Sequence, residues 1–414
     1  MKLYEYKTAE VQGERCTTQA REQTPGLLER WLIGRLRSRI DGNRGTLQLR
    51  LPSGNCYRFG DRQPFASLTL NNYRALRKLI TGGLNGWSEA YLQGDWDSPD
   101  LTALIQWGAR YEHSLESMGR LRLLSDLQHN RYHRSRDNHR EGSRRNIAAH
   151  YDLGNAFYRQ WLDPSMTYSA ALFSEPTMSL QEAQGAKNRR ILELTQTQPG
   201  DRICEIGCGW GGFAEQTAQA GRQVHGVTLS KEQLAWAQQR IRSASLDAQV
   251  ELSLTDYRDL DGQYDAVVSI EMFEAVGERH WDTYFEQLKR ILKPEGRAVL
   301  QIITIDDQRF HSYRKQADFI QRYIFPGGML PSVEALRHKF NQHGLRLEHQ
   351  QMFGLDYART LKHWAEAFER NYTNIEAQGF DRHFYRMWRY YLAYCEGGFR
   401  EKCIDVGLFV LTRA

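Results

Sequence analysis

The ten residues Ile203-Cys204-Glu205-Ile206-Gly207-Cys208-Gly209-Trp210-Gly211-Gly212 constrain this chain more than any other stretch. A short apolar run ends in glycines at every second position and opens into a helical stretch near Phe213. That arrangement brings backbone N–H groups up to a bound cofactor at the carboxyl end of a buried strand. Glycines there remove Cβ atoms where a ligand must lie against the main chain. A dinucleotide would need an acid at the end of the second strand to grip its ribose. The second strand, residues 224–227, ends in Thr228-Leu229-Ser230, which weakens the dinucleotide reading. The plain alternative, a glycine-rich turn with no ligand, fits poorly with a strand before it and a helix after it.

Glu205 inside the first strand, followed by Gly207, Gly209 and Gly211, instead resembles the pattern of class I S-adenosylmethionine (SAM) methyltransferases. Composition sets the outer limits. A chain of 414 residues exceeds the usual single core, so two domains are expected. No apolar run reaches the length needed to cross a bilayer, and residues 1–12 are polar with no signal-peptide core, so a cytoplasmic protein is expected. The six cysteines are scattered, and neither a disulfide framework nor a paired zinc motif is visible. A net charge of +5, unevenly spread, permits an anionic partner without demanding one.

Residues 24–40 read as an amphipathic helix with Leu27, Leu28, Trp31, Leu32 and Leu36 on one side, a face that docks on a core or lies on a membrane. Alternation around Pro52-Ser53-Gly54-Asn55 signals a hairpin, with a third strand over 66–70. Helical patterns return over 72–109, broken at Gly82-Gly83 and carrying Trp87, Tyr91, Trp96 and Trp107 as core aromatics. Residues 110–145 turn rich in Arg and His, which reads as a solvated linker or as an anchor for anionic head groups. Nucleic acid is disfavoured, since no recognition helix or stacking platform lies nearby.

From residue 146 onward, strand candidates at 202–206, 223–227, 250–254, 265–270 and 297–305 alternate with helices at 213–220, 231–243 and 281–292. Later come a strand near 345–349, helices at 360–370 and 381–394, and a closing strand at 404–412. The pattern predicts an α/β fold with a mainly parallel seven-stranded sheet covered on both faces, its ligands beyond the carboxyl ends of the strands. The expected division is an N-terminal α+β domain at 1–109, a basic linker at 110–145 and a catalytic domain at 146–414, whose helical region 306–400 covers the substrate.

Ordered motifs then resemble the cyclopropane-fatty-acyl-phospholipid synthases and their sister SAM-dependent lipid methyltransferases. They are His150-Tyr-Asp-Leu-Gly-Asn155, Leu162-Asp-Pro-Ser-Met-Thr-Tyr-Ser169, the glycine loop, Gly226-Val-Thr-Leu-Ser230 with Gln233, and Met272-Phe-Glu-Ala-Val-Gly277. Tyr323-Ile-Phe-Pro-Gly-Gly328, Phe353-Gly-Leu-Asp-Tyr357, Cys395-Glu-Gly-Gly-Phe-Arg400 and Ser88-Glu-Ala-Tyr-Leu-Gln-Gly-Asp-Trp96 extend the likeness from about residue 65 onward.

The resemblance implies SAM contacts at Tyr168, Ser169, Glu205, Gly207, Gly209, Gly211, Thr228, Leu229, Gln233, Asp256 and Tyr257, with Asp256 accepting from the adenine amino group. It implies a bicarbonate held by Glu274, Tyr357 and the backbone of Ile303, and a cysteine, Cys395, assigned either to catalysis or to a buried structural thiol. Two departures stand out. Ala170 replaces the family's cysteine, and Gln301 replaces its histidine, so the bicarbonate cage is incomplete as written. The implied reaction is methyl transfer to the double bond of a phospholipid acyl chain, ending in a cyclopropane or, without a well-held base, in a methyl-branched unsaturated chain. Glu274 is an alternative base if desolvation raises its pKa. Methylation of a small amine and a catalytically silent SAM- or lipid-binding protein are the rival readings. The implied setting is the inner membrane face, peripherally bound, with a homodimer common in the family and no metal.

Overall fold

The strand that ends in the glycine loop is an interior strand of a seven-stranded sheet. The structure is a computed structural model and describes residues 24–116, 138–140, 142, 143, 146 and 153–414. Strands β5 (Arg202–Ile206), β6 (Gln223–Thr228), β7 (Val250–Leu254), β8 (Tyr264–Ile270), β9 (Leu292–Ile305), β10 (Leu345–Met352) and β11 (Ile404–Arg413) lie in the order β10-β11-β9-β8-β5-β6-β7. The run from β9 to β7 is parallel, and β11 alone is reversed, pairing antiparallel with β9 and β10. Chain order turns around between β5 and β8, because β6 and β7 extend the sheet one way and β8 returns to the other flank of β5. That switch point opens a crevice beyond the carboxyl ends of both strands. Ile203, Cys204, Ala266, Val267 and Val268 are fully buried, as expected of strands covered on both faces.

Six of the seven strands differ from the sequence expectation at few terminal residues. The exception is β9, which begins five residues early. Within the stretch 306–400 the strand anticipated near 345–349 joins the sheet as β10, and helix Val333–Gln342 packs against β10 and against helix Trp281–Ile291. Helices Gly354–Arg370 and Arg382–Arg400 pack as a pair, and Ile320–Ile324 contacts the second of them.

The N-terminal part forms its own sheet, β1 (Thr46–Arg50), β2 (Cys56–Phe59), β3 (Phe65–Leu70) and β4 (Trp96–Asp97), in the order β2-β1-β3-β4. The hairpin forms around the anticipated turn, pairing Leu47 with Phe59 and Arg50 with Cys56. Helix Arg74–Leu92 runs through the glycine pair with a kink at Gly83, whose φ of 59° is left-handed. The first helix, Leu27–Arg37, divides its apolar residues between two surroundings. Leu32, Ile33 and Leu36 enter the core, whereas Leu27, Leu28 and Trp31 are 81%, 48% and 42% exposed beside Arg30 and Arg35.

Helix Arg382–Arg400 docks on helix Leu101–Arg110. A Cβ at Gly397 would stand 2.6 Å from Ile105 Cγ2, so glycine is required there for the close crossing. Glu396 accepts from Thr102 Oγ1 at 3.0 Å, and the Arg386 guanidinium donates to the carbonyls of Tyr91 and Trp96 and to Asp97. The motif around Cys395 therefore fastens the N-terminal sheet to the catalytic part. Most of the basic stretch 110–145 lies outside the described residues. Within it, Arg110 pairs with Glu401 and Arg140 with Asp259. His150, Tyr151 and Asp152 of the first motif are also outside them.

Candidate active site

At the switch point lies a cleft of about 980 Å³, mouth included, lined by both sides of the glycine loop and by the ends of β6 and β8. Tyr168, Ser169, Glu205, Gly207, Gly209, Thr228, Leu229, Gln233 and Tyr257 share its wall. The three alternating glycines have three different reasons to be there. All have positive φ, at 85°, 51° and 81° in order. A Cβ on Gly207 would come within 2.9 Å of Met272, and one on Gly211 within 3.0 Å of Ala237. Of the three, only Gly209 has no protein atom within 4 Å of that position, so only there does the missing Cβ leave open space for a ligand.

Two of the expected cofactor contacts do not line the cleft. Gly211 is not on the cleft wall; its missing Cβ lets helix Lys231–Ser243 approach the loop. Asp256 is 2% exposed and is not on the cleft wall, and its two oxygens accept from Arg258 Nε at 2.8 Å and Nη2 at 2.7 Å. Burial raises its pKa, but the Arg258 hydrogen bonds and charge outweigh that and hold the carboxyl below its ordinary value. An acceptor already engaged twice by a guanidinium has little left for an adenine amino group. The neighbouring Tyr257, its phenol pushed up to about 12 by burial, reaches the cleft instead.

Side chains around the cleft suit a cofactor with a cationic methionine end and a flat base. Glu205 is 2% exposed, and its Oε2 has no hydrogen-bond partner within the protein. Burial lifts its carboxyl to about 8, opposed by the charge of Lys187. Such an orphaned buried oxygen needs an external donor or cation. Thr228 Oγ1 donates to Gln233 Oε1 at 3.1 Å, which fixes the Gln233 side chain at the cleft wall. Tyr168 joins its hydroxyl to Tyr391 at 2.7 Å and packs its ring against Trp161 and Trp364, both with centroids at 5.3 Å.

A second cluster adjoins the cleft, and its centre is a residue that sequence reasoning missed. Glu271, at the end of β8, accepts on Oε1 from Ala170 N–H at 2.8 Å and from Gln301 Nε2 at 2.7 Å, and on Oε2 from the Tyr357 hydroxyl at 2.7 Å. Gln301, Tyr357 and Ala170 are thus brought together, but around a carboxylate of the chain itself. Glu274 stands beside it, accepting from Ile303 N–H at 2.6 Å on Oε1, with Oε2 unpartnered. Burial, then the Glu271 charge, raises the Glu274 carboxyl to about 8, so it holds its proton at neutral pH.

Lys187 was also missed. It is buried to 1% exposure on the cleft wall, donates to Ser169 Oγ at 3.1 Å and sits in the field of Glu271 and Glu205; burial brings its ammonium down to about 8. The signal was a lysine in the four-residue stripe Ala183, Lys187, Ile191, Thr195 of helix Leu180–Thr195, all buried. Cys395 does not join either cluster. It is absent from the cleft wall, and burial, then the charges of Asp318 and Glu271, raise its pKa, so the thiol stays protonated and unreactive. Among the described residues no group of three or more His, Cys, Asp or Glu could hold a metal ion.

A doubly wound sheet in this strand order, with its glycine loop at the switch point, defines a SAM-dependent methyltransferase. Residues 138–409 match the family model described as mycolic acid cyclopropane synthetase, and the chain belongs to that family, whose cofactor is SAM. It is 40% identical over 379 residues to the tuberculostearic acid methyltransferase UfaA1 of Mycobacterium tuberculosis, covering 89% of this chain and 88% of that one. To the cyclopropane-fatty-acyl-phospholipid synthase of Escherichia coli it is 41% identical over 270 residues, covering 64% and 66%. Among solved structures, the mycolic acid cyclopropane synthase CmaA1 with SAH and CTAB superposes with a TM-score of 0.62 at 32% identity, covering 65% of this chain and 98% of that one.

Proposed function

We propose that this enzyme transfers the methyl group of SAM to the double bond of an unsaturated fatty acyl chain in a membrane phospholipid. Tyr168, Ser169, Glu205, Gly207, Gly209, Thr228, Leu229, Gln233 and Tyr257 hold the cofactor. When bound, SAM supplies an electrophilic methyl that needs no activation, so the protein's tasks are alignment, exclusion of water and care of the cation left on the acyl chain. The observation that carries the reading is the pairing of Tyr168 and Glu271 on one cleft wall, Tyr168 backed by the buried Trp161 and Trp364 and Glu271 flanked by Glu274. Ring faces and a carboxylate stabilise a carbocation.

The product gains one CH₂, as a cyclopropane ring. A second reading, a methyl-branched alkene, is favoured by a specific observation: Glu271 occupies the cage where the family resemblance implies a free bicarbonate, so the base differs from the family's. The extent of the likeness to a tuberculostearic acid methyltransferase supports that second reading as well. Expression in a bacterial host without its own synthase, followed by proton NMR of the extracted acyl esters, separates the two. Upfield ring protons mark the cyclopropane, and a branch methyl with vinyl protons marks the alkene. Acyl chains with no added carbon would refute the function.

The enzyme works as a peripheral protein on the cytoplasmic face of the membrane. No helix among the described residues is long and apolar enough to cross one. Exposed Leu27, Leu28 and Trp31, flanked by Arg30 and Arg35, form an apolar and cationic edge suited to an anionic phospholipid surface.

A further inference from the structure

Glu271 has a backbone that a side-chain-bearing residue seldom adopts. Its φ is 50°, in the left-handed region that normally falls to glycine. Such strain persists where surrounding contacts over-determine it, and it clusters at functional sites. The Glu271 N–H donates to the Gln301 carbonyl at 2.8 Å, and three donors from three separate segments fix its carboxylate. Despite this enclosure, Glu271 is among the residues that line the cofactor cleft.

We propose that Glu271 is the proton acceptor of the reaction, a carboxylate built into the chain at the place where a diffusible oxyanion would otherwise have to bind. The inference rests on the acyl-chain reading above and names the base for it. In the step, the alkene π pair forms the new C–C bond to the methyl carbon, and the C–S pair stays on sulfur, leaving neutral S-adenosylhomocysteine and a carbocation on the chain. A C–H pair of that cation then closes the ring or forms the alkene, while its proton passes to the Glu271 carboxylate. The resulting neutral acid returns the proton to solvent through the cleft once the products leave.

The surroundings fit this role. Burial raises the Glu271 carboxyl above its ordinary value, while the Ala170, Tyr357 and Gln301 hydrogen bonds and the Lys187 charge draw it back. Glu274, protonated at neutral pH, does not compete for the proton. Ala170 and Gln301, which look like defects in a cage for a free anion, become the two donors that hold Oε1.

The test uses the full-length enzyme, radiolabelled SAM and vesicles of cis-monounsaturated phosphatidylethanolamine and phosphatidylglycerol in CO₂-depleted buffer. Wild type turns over fully without added anion. E271Q keeps the shape but not the basicity; it binds S-adenosylhomocysteine normally in calorimetry and loses at least about 10²-fold in rate. E271G suits the left-handed backbone and empties the cage; it is equally slow, and formate or bicarbonate restores it saturably, whereas E271Q is not restored. E271Q at the wild-type rate, E271G active without anion, or a wild type that needs bicarbonate would each overturn the assignment while leaving the substrate reading intact. A wild type inactive on every unsaturated phospholipid would overturn the substrate reading and this inference with it.

Discussion

Gly209 and Gly211 are one residue apart in the same motif, both with positive φ, yet the structure gives them separable jobs. Replacing either with alanine forces a Cβ into left-handed backbone, at about 1–2 kcal/mol. At Gly211 the new methyl also meets Ala237 Cβ at 3.0 Å and Cα at 3.3 Å. Neither atom can rotate away, so helix Lys231–Ser243 must shift, adding about 1–3 kcal/mol of overpacking. G211A is therefore expected to lose about 2–5 kcal/mol of stability, and G209A only about 1–2 kcal/mol.

Cofactor binding is expected to rank them the other way. The Gly209 methyl meets no protein atom within 4 Å and projects into space that a ligand must fill. A tenfold loss of S-adenosylhomocysteine affinity is about 1.4 kcal/mol. At ligand one hundred times the wild-type dissociation constant, stabilisation falls from about 2.7 kcal/mol in wild type to about 1.4 kcal/mol in G209A. Urea unfolding with and without ligand, alongside calorimetry, reads both quantities. Near-normal affinity in G209A, or a larger affinity loss in G211A, would refute the placement of the cofactor over Gly209.

Three shorter predictions follow from other parts of the molecule. R386M removes a buried guanidinium that donates to Tyr91 O at 2.7 Å, Trp96 O at 2.9 Å and Asp97 at 3.0 Å, and should cost about 3–5 kcal/mol in urea unfolding; a loss within about 1 kcal/mol would deny that this residue fastens the N-terminal sheet. The Glu274 carboxyl is raised from 4.5 to about 8, so the folded state binds its proton more tightly than the unfolded chain does. Its contribution to stability is complete below about pH 4.5 and is lost as pH rises to about 8, so E274Q should gain on wild type between about pH 4.5 and pH 8 and level off above; parallel stability–pH curves would refute this. Replacing Leu27, Leu28 and Trp31 together with serine should abolish flotation with anionic vesicles while leaving S-adenosylhomocysteine affinity unchanged, and retained flotation would remove the helix from the membrane face.

Much of the fold was legible because periodicity and glycine placement are local properties. β5, β7 and helix Lys231–Ser243 have the ends that their apolar patterns and flanking residues assign. What could not be read were the partners brought in by tertiary structure. Arg258 is only two residues from Asp256, yet nothing in the sequence says that both carboxylate oxygens turn toward it. The alternating glycines announce a loop, but only packing reveals that one faces Met272, one faces Ala237 and one faces open space. Cys395 carries a motif resemblance to a reactive residue, and its environment leaves it a protonated thiol next to glycines that dock two helices.

The acids at 271 and 274 show most clearly where sequence reasoning stops. Three residues apart, they would lie on one face of a regular helix, and on a strand they would point to opposite sides. Neither geometry applies, because β8 ends at Ile270, Glu271 takes a left-handed turn, and Phe273–Ala275 forms a single 3₁₀ turn. That irregular path lets Glu271 reach Ala170, Gln301 and Tyr357 while Glu274 meets the Ile303 N–H. Gln301 and Ile303 alternate along β9, so their neighbouring backbone groups and side chains present donors to both acids at once. A motif match finds Glu274 by its neighbours in sequence. Glu271 is found only by asking which group satisfies the donors of Gln301, Tyr357 and Ala170, a question about three dimensions.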